Sequence, residues 1–211
     1  SLDASTYQIK ARTREVSIAE LVSLPSVINL GQEYYVKYAV LDALTKCPVS
    51  NLNIMLSVDD LLLANGTTNK DGIVELGIRI PAHRWDLAGN LTLSTKALSR
   101  STKGIYGNNS LSKHLLCKIP TVTTLIVYPQ GMLEDGETIL ATAQLLSFNL
   151  TPISAERVTF TVFVDQESSP LIRVTKVTDA QGMCSVSLKL SKSGLATIVA
   201  DFNGNLIFDY S

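Results

Sequence analysis

Residue types that mark several protein classes are scarce in this chain of 211 residues. Charged residues make up 18% of the sequence and the net charge is −1, which excludes the clustered Lys and Arg of nucleic-acid-binding proteins. No apolar run approaches the roughly 18–20 residues that cross a bilayer, so we predict no membrane span. The two histidines lie in no zinc-binding, nucleophile or phosphate-loop motif. We therefore expect a protein that is not an enzyme and uses no cofactor.

Cysteine is also rare, and its three copies are Cys47, Cys117 and Cys184. An odd number argues against a pure disulfide framework. Cys184 falls in phase with apolar residues that we expect to point inward, so we predict a small buried core residue. A bridge between Cys47 and Cys117 stays open, although a sandwich tends to place these two positions at opposite ends.

The chain does contain an internal repeat. The segment 68–73 (Thr-Asn-Lys-Asp-Gly-Ile) matches 178–183 (Thr-Asp-Ala-Gln-Gly-Met), and 48–50 (Pro-Val-Ser) matches 152–154 (Pro-Ile-Ser). Such similarity at a spacing of about 105 residues means that one domain type is used twice in series. Each copy is large enough to bury its own core.

The hydrophobic pattern within each copy has the period of β-strands. Ile54, Leu56 and Val58 alternate with residues that we expect to face water, and 158–162 repeats this pattern. Gly, Asn, Asp and Pro separate the runs, and seven short strands per copy are typical of an immunoglobulin-like sandwich. The predicted strands are 17–24, 32–42, 51–58, 61–68, 72–80, 90–97, 112–119, 121–128, 137–147, 156–165, 171–177, 183–190, 195–201 and 206–210.

Three motifs of the second copy occur in a characteristic order: the turn 178–182, the strand 194–200 that begins with Gly, and the aromatic-containing turn 202–205. The first copy keeps the turn 68–72 and an aromatic-Gly-Asn at 106–108. Together these motifs resemble the bacterial and archaeal immunoglobulin-like repeats of invasin-type surface proteins. The resemblance implies an all-β fold of two tandem immunoglobulin-like β-sandwich domains.

We predict the two sandwiches at 17–118 and 119–211, preceded by an N-terminal strand or arm at 1–16. The second copy ends at Ser211 before an equivalent last strand is complete, whereas the strand-like segment 6–12 precedes the first copy. The apolar residues of that segment are Tyr7, Ile9 and Ala11.

Three interpretations of this mismatch stay open. Residues 1–16 are the tail of a preceding domain in a longer array, a strand that completes the second domain of another subunit, or a flexible arm. A sandwich that lacks an edge strand exposes core and unpaired backbone groups, where an added strand can bind.

Two longer loops distinguish the first copy. Arg84 and Trp85 lie in one of them, and such residues are enriched at binding hot spots; alternatively, Trp85 folds over the edge of the core. Arg100 and Lys103 lie in a basic, Ser-rich loop that could meet an anionic surface or glycan, or is solvated and mobile.

Acceptor sequons for N-glycosylation begin at Asn65, Asn90, Asn108 and Asn149. We predict loops at Asn65 and Asn108, where glycans belong, and this favours an exported protein.

Oxygen-bearing side chains alternate near the C-terminus, as at the start of a calcium loop. The later glycine and the bidentate Glu of such a loop are missing, so we interpret these residues as a turn and predict no metal site. They are Asp201, Asn203, Asn205 and Asp209.

The predicted function is a structural or adhesive stalk segment of an extracellular or cell-surface protein, with no chemistry of its own. One alternative is a subunit of an extracellular filament assembled by donor-strand exchange through residues 1–16. Another is a glycan- or protein-binding accessory module of a secreted enzyme. The expected partners are neighbouring immunoglobulin-like domains or identical subunits, with surface glycans as a further candidate and no nucleic acid.

Overall fold

The computed structural model describes residues 14–59, 61–98, 109–130, 136–165, 168–191 and 194–211. Within these residues the chain forms β-strands and one 3-10 helix of three residues, Trp85–Leu87. The strands are β1 (Val16–Val22), β2 (Val27–Asn29), β3 (Glu33–Asp42), β4 (Asn53–Val58), β5 (Leu61–Thr67), β6 (Ile73–Arg79), β7 (Gly89–Leu98), β8 (Asn109–Lys118), β9 (Thr121–Tyr128), β10 (Thr138–Ser147), β11 (Arg157–Val164), β12 (Ile172–Val177), β13 (Met183–Lys189) and β14 (Ala196–Phe202).

The chain divides into two compact units, and the boundary lies between Leu116 and Cys117. We call them unit 1 and unit 2. In unit 1 a sheet with the order β1-β3-β6 accompanies a sheet with the order β2-β8-β7-β4-β5. In unit 2 the sheets have the orders β9-β10-β13 and β12-β11-β14. The predicted all-β fold of immunoglobulin-like sandwiches is confirmed.

Alternation along each strand produces the two cores. In β13 every second residue is buried, and Cys184, Val186 and Leu188 belong to the core of unit 2. The intervening residues are exposed, because successive side chains of a strand point to opposite faces. Cys184 is 7% exposed, which confirms its prediction as a core residue.

A buried threonine holds the repeated turn in both units. The Thr178 hydroxyl donates to the Ile153 carbonyl (2.8 Å) and accepts from the backbone N–H of Glu156 (3.1 Å). Thr68 makes the corresponding two bonds in unit 1. Each hydroxyl therefore satisfies one backbone carbonyl and one backbone N–H of the loop that precedes β4 or β11.

The glycines of this turn have a steric reason. Gly72 and Gly182 have φ values of +71° and +69°, which lie in the left-handed region that glycine adopts without strain. A Cβ at Gly182 would lie 2.5 Å from the Leu145 carbonyl oxygen, and one at Gly72 would lie 2.6 Å from that of Val40. A side chain at either position would both strain the backbone and collide with the neighbouring strand.

Two details differ from the sequence predictions. The strand predicted at 206–210 is wrong, because the segment forms only an isolated bridge between Phe208 and Ile119. The side chain of Asn205 accepts the backbone N–H groups of Ile207 and Phe208, at 2.7 and 2.8 Å, so these groups are taken by a turn. The short strand β2 was not predicted, since three residues give too little alternation to detect.

Asp42 closes the turn after β3 in unit 1. Its carboxylate accepts the backbone N–H groups of Thr45 (2.8 Å) and Leu44 (3.0 Å), and Arg14 lies 3.6 Å away. The hydrogen bond from Thr45 is the largest cause that lowers the pKa of Asp42 below its usual value of 3.8, while burial opposes it. In unit 2 the neutral Ser147 bonds the corresponding turn.

We expect unit 1 to lose stability in acid through Asp42. A lowered carboxyl pKa contributes stability above the unfolded value, and this contribution is lost as the pH falls toward the folded value. Calorimetry of the full chain from about pH 6 to about pH 3 should show this loss in one of two transitions. The variant Asp42→Asn should weaken that transition at the higher pH and flatten its pH dependence.

The exposed Asp71→Asn, in the same unit, is the matched control. If both variants flatten the pH dependence equally, Asp42 has no special role.

Candidate functional site

An open sheet edge is the clearest functional feature of unit 2. Strand β14 pairs with β11 on one side, in a register that places Phe160 opposite Ala200 and Val162 opposite Ile198. Among the described residues, no strand pairs with the other side of β14. Apart from Phe202, which bonds Ser211, the residues of β14 therefore have no described backbone partner on this side.

Unit 1 shows what a covered edge looks like. There β7 occupies the place of β14, and it lies between β4 and β8. Leu93 of β7 pairs with Val58 and is 1% exposed. Ile198 of β14, which pairs with Val162 of the equivalent strand, is only half-buried, as are Ala196 and Ala200.

These half-buried residues nevertheless belong to the core side of the sheet. Ala196, Ile198 and Ala200 pack against the buried cluster of unit 2. In unit 1 the strand β8 covers this flank of the core. In unit 2 no described strand lies there, which explains the partial exposure of the three residues. We call this surface the β14 groove.

The C-terminal residues cover one end of the β14 groove. Ser211 and Phe202 exchange both backbone hydrogen bonds, at 2.7 and 2.9 Å, and Phe208 packs against the core. Phe202 is 3% exposed, in contrast to the half-buried residues farther along β14. An antiparallel pairing therefore begins at Phe202, and the groove continues toward Ala196.

A second concavity lies on the outer face of the same sheet. It measures about 450 Å³, and Arg157 and Arg173 are its exposed basic residues. Glu156 also lines it and accepts a hydrogen bond from the Asn205 amide (2.7 Å). The mixture of charges defines no particular ligand.

The oxygen-bearing residues near the C-terminus act as a turn. The Asn205 side chain bonds both Glu156 and the backbone, Asp209 lies 4.0 Å from Lys118, and Asp201 is exposed. No group of three or more metal-binding side chains occurs among the described residues.

The predicted hot-spot residues of the first loop, Arg84 and Trp85, lie at the start of the 3-10 helix. Two guanidinium nitrogens of Arg84 donate hydrogen bonds to the Asp86 carboxylate, at distances between 2.7 and 3.1 Å. The guanidinium is therefore already paired within the loop. This hydrogen-bonded pair raises the pKa of Arg84 and lowers that of Asp86. Trp85 is half-buried, and Leu87 of the same 3-10 helix is buried.

The remaining candidates of the basic loop and the N-terminal segment lie outside the described residues. They are Arg100, Lys103, Tyr7, Ile9 and Ala11.

Three of the four predicted glycosylation positions are exposed: Asn65, Asn90 and Asn149. Asn65 lies within β5 and not in the predicted loop, because β5 pairs with β4 through this position. Asn108 lies outside the described residues.

No disulfide joins the three cysteines, which all lie in the described part of the chain. Cys47 is exposed and Cys117 is buried, so the bridge left open between them is not formed. Burial raises the pKa of Cys117 to about 11 and also raises the pKa of Cys184. Both histidines are exposed; His114 shares a hydrogen bond with Thr92 (3.3 Å).

Comparisons with known proteins give weak likenesses. No protein-family model matches the sequence, and no curated protein matches it. The chain is similar to the D0-D1 domain of intimin at 15% identity and a TM-score of 0.34, covering 92% of this chain and 94% of that one. It is also similar to the Yersinia pseudotuberculosis adhesin InvE, at 16% identity and a TM-score of 0.36, covering 94% of this chain and 56% of that one.

A third similar structure is invasin, described as a bacterial integrin-binding protein, at 14% identity and a TM-score of 0.39. That likeness covers 89% of this chain and 36% of invasin. The chain thus spans about half of InvE and about a third of invasin. These TM-scores are too low to support the fold assignment, which follows instead from the strand order of the chain itself.

Among the described residues, no helix is long and apolar enough to cross a membrane.

We expect equivalent truncations of the two inner faces to differ in cost. Leu93→Ala removes a side chain that is 1% exposed and should cost about 3 kcal/mol of unfolding free energy. Ile198→Ala removes a half-buried side chain from the open edge and should cost about 1 kcal/mol. Chemical unfolding of the full chain, followed by circular dichroism, measures both values. Equal losses would show that the edge of β14 is covered in solution.

Proposed function

We propose that this chain is a structural and adhesive stalk segment of an extracellular or cell-surface protein, with no chemistry of its own. Its support is the repetition of one self-contained sandwich, with the same buried threonine and the same turn glycine in both units. Units that each bury a core can be joined in series without depending on one another. Its partners on this proposal are neighbouring immunoglobulin-like domains and surface molecules.

The main support for this proposal is a set of hydrogen bonds between the first and the last residues of unit 2. Ile119 and Phe208 form a parallel bridge. The Ile119 N–H donates to the Ile207 carbonyl (2.8 Å), and the Asp209 N–H donates to the Ile119 carbonyl (2.9 Å). The Thr121 hydroxyl adds a bond to the Asp209 carbonyl (2.9 Å). We call these contacts the terminal clamp.

A parallel arrangement matters under tension. Force applied at the two ends of unit 2 pulls paired segments along their length in opposite directions, so it loads several hydrogen bonds together. An antiparallel pair pulled from one end would instead lose its bonds one at a time. The terminal clamp therefore suits a unit that transmits force along a chain.

Single-molecule stretching of the full chain should show two unfolding events, each releasing about 300 Å of chain. In the variant Asp209→Pro the N–H that bonds Ile119 is removed, so the unfolding force of unit 2 should fall while that of unit 1 stays unchanged. Leu206→Pro, in the same segment but outside the terminal clamp, is the control. An unchanged force in Asp209→Pro, or a single joint event, would contradict the proposed mechanical role.

The proposed location has its own test. Antibodies against the purified chain should label intact cells of the source organism before their membranes are permeabilised, or should detect the protein outside the cells. Labelling that requires permeabilisation would contradict an extracellular or surface role.

The open β14 groove favours a second candidate function, a filament subunit in which residues 1–16 of one chain complete unit 2 of the next. Both functions are compatible with force transmission. They differ in whether separate chains join. The function as an accessory module of an enzyme receives less support, because Arg84 is held by Asp86.

A further inference from the structure

We propose that the outward face of the β9-β10-β13 sheet is an interface through which two copies of this chain associate. We call it the β10 face, and its apolar residues are Val122, Ile126, Tyr128, Leu140, Leu146 and Met183. The inference goes beyond the stalk function, since neither an extracellular location nor the transmission of force requires a second copy. Each proposal can therefore fail without the other.

Apolar side chains project into water on the β9 side of the β10 face. Ile126 is 68% exposed and Tyr128 is 73% exposed. The strand register places Tyr128 opposite Leu140, which thus lies beside both of them, and Val122 opposite Leu146. Single exposed apolar residues are ordinary on protein surfaces, whereas a group of neighbouring ones marks a surface that binds another molecule.

The β10 face also carries almost no charge. Strands β9, β10 and β13 contain one charged residue, Lys189, which lies at the end of β13. The equivalent sheet of unit 1, β1-β3-β6, pairs Lys37 with Glu75 and Glu33 with Arg79 on its outward face. The outward face of unit 1 is thus a charged surface suited to water, and the β10 face is not.

The strand registers of the two units make this comparison residue by residue. Thr142 pairs with Ser185 in unit 2 at the place where Lys37 pairs with Glu75 in unit 1. The centre of the face therefore carries hydroxyl groups in unit 2 and charged groups in unit 1. Because both sheets have the same strand order, the sandwich itself does not require the change. The change concerns what the surface meets.

The polar groups at the centre of the β10 face already have hydrogen-bond partners within unit 2. The hydroxyls of Thr142 and Ser185 share a hydrogen bond (2.8 Å). The Gln144 side-chain amide donates to the Gln181 carbonyl (3.1 Å). Burial is costly for a polar group that loses water and has no other partner, and these groups keep theirs. The face can therefore be covered at low cost in hydrogen bonding.

The near-absence of charge favours a second copy as the occupant. In a two-fold symmetric pair the same surface lies on both sides, so a charge near the axis meets its like and is repelled. A two-fold axis that superposes the whole β10 face on its copy passes near Thr142, the middle outward residue of the central strand β10. Two sheets stacked in this way lie about 10 Å apart, with the apolar side chains of both copies between them.

The size of the face predicts a weak pair. At about 3.3 Å per residue and about 4.8 Å between strands, the three strands cover about 26 by 14 Å, or roughly 370 Å² per copy. A standard stable interface buries about 800 Å² per partner, so the two copies should exchange readily. Weak affinity suffices where copies are tethered side by side, because tethering raises their effective concentration. Only this last step rests on the proposed stalk function.

Sedimentation velocity of the full chain, from about 10 µM to about 1 mM, tests the proposal. We expect the weight-average mass to rise from that of a monomer toward that of a dimer. The variant Thr142→Lys should weaken the association by about tenfold or more, because the lysines of two copies then face each other. It should fold normally, since unit 1 carries Lys37 at the equivalent position, and circular dichroism checks this.

Thr175→Lys is the matched control. Thr175 is an exposed residue on the outward face of the other sheet of unit 2, and like Thr142 it shares a hydroxyl hydrogen bond with the neighbouring strand. This variant should associate as the unaltered chain does. Thr142→Glu should weaken the association as Thr142→Lys does. An equimolar mixture of the two Thr142 variants should restore it, because opposite charges then meet near the axis.

Each outcome decides the proposal. A concentration-dependent dimer that Thr142→Lys weakens and the mixture restores supports it. A chain that stays monomeric at about 1 mM overturns it, as does a dimer that Thr142→Lys leaves unchanged. Equal weakening by Thr175→Lys, or a mixture that does not associate, overturns it as well. The stalk function is untouched by these results, because stretching and antibody labelling test it separately.

Discussion

The period of two along each strand is the constraint on which both units depend. Because one face of every sheet must be buried, a shift of one residue in β13 would expose Val186 and Leu188 and bury serines instead. The register of each strand pair is therefore fixed by the core, and the loops have to adapt. The buried hydroxyls of Thr68 and Thr178 are one such adaptation, since they supply hydrogen bonds where the backbone leaves the ladder.

A β-sheet also has edge strands, whose outer backbone groups and core flank need a neighbour. Unit 1 places β7 between two strands and thereby removes the flank of its core from water. Unit 2 uses the same inner-face pattern in β14 without a neighbour on that side among the described residues. Among the described residues, the two copies of one domain thus differ at this edge, although their cores are alike. The difference lies in a single strand position and not in any special side chain.

Much of this architecture could be predicted from the sequence, because alternation and turn glycines are local signals. The strands around Ile54 and Val158, the inward Cys184 and the positive φ of Gly182 all follow from patterns within a few residues. The pairing of Arg84 with Asp86 could not be predicted, since an i,i+2 contact forms only in a particular tight turn. The single bridge at Phe208 was also missed, because its alternation resembles a strand while Asn205 takes its N–H group.

The position of Trp85 has a spectroscopic consequence. It is the sole tryptophan of the chain, and it lies half-buried in unit 1. Indole emission therefore reports the unfolding of unit 1 and is nearly blind to unit 2, whereas ellipticity registers the loss of strands in both. Midpoints from the two signals can disagree in this protein without any partly folded intermediate, simply because they observe different units.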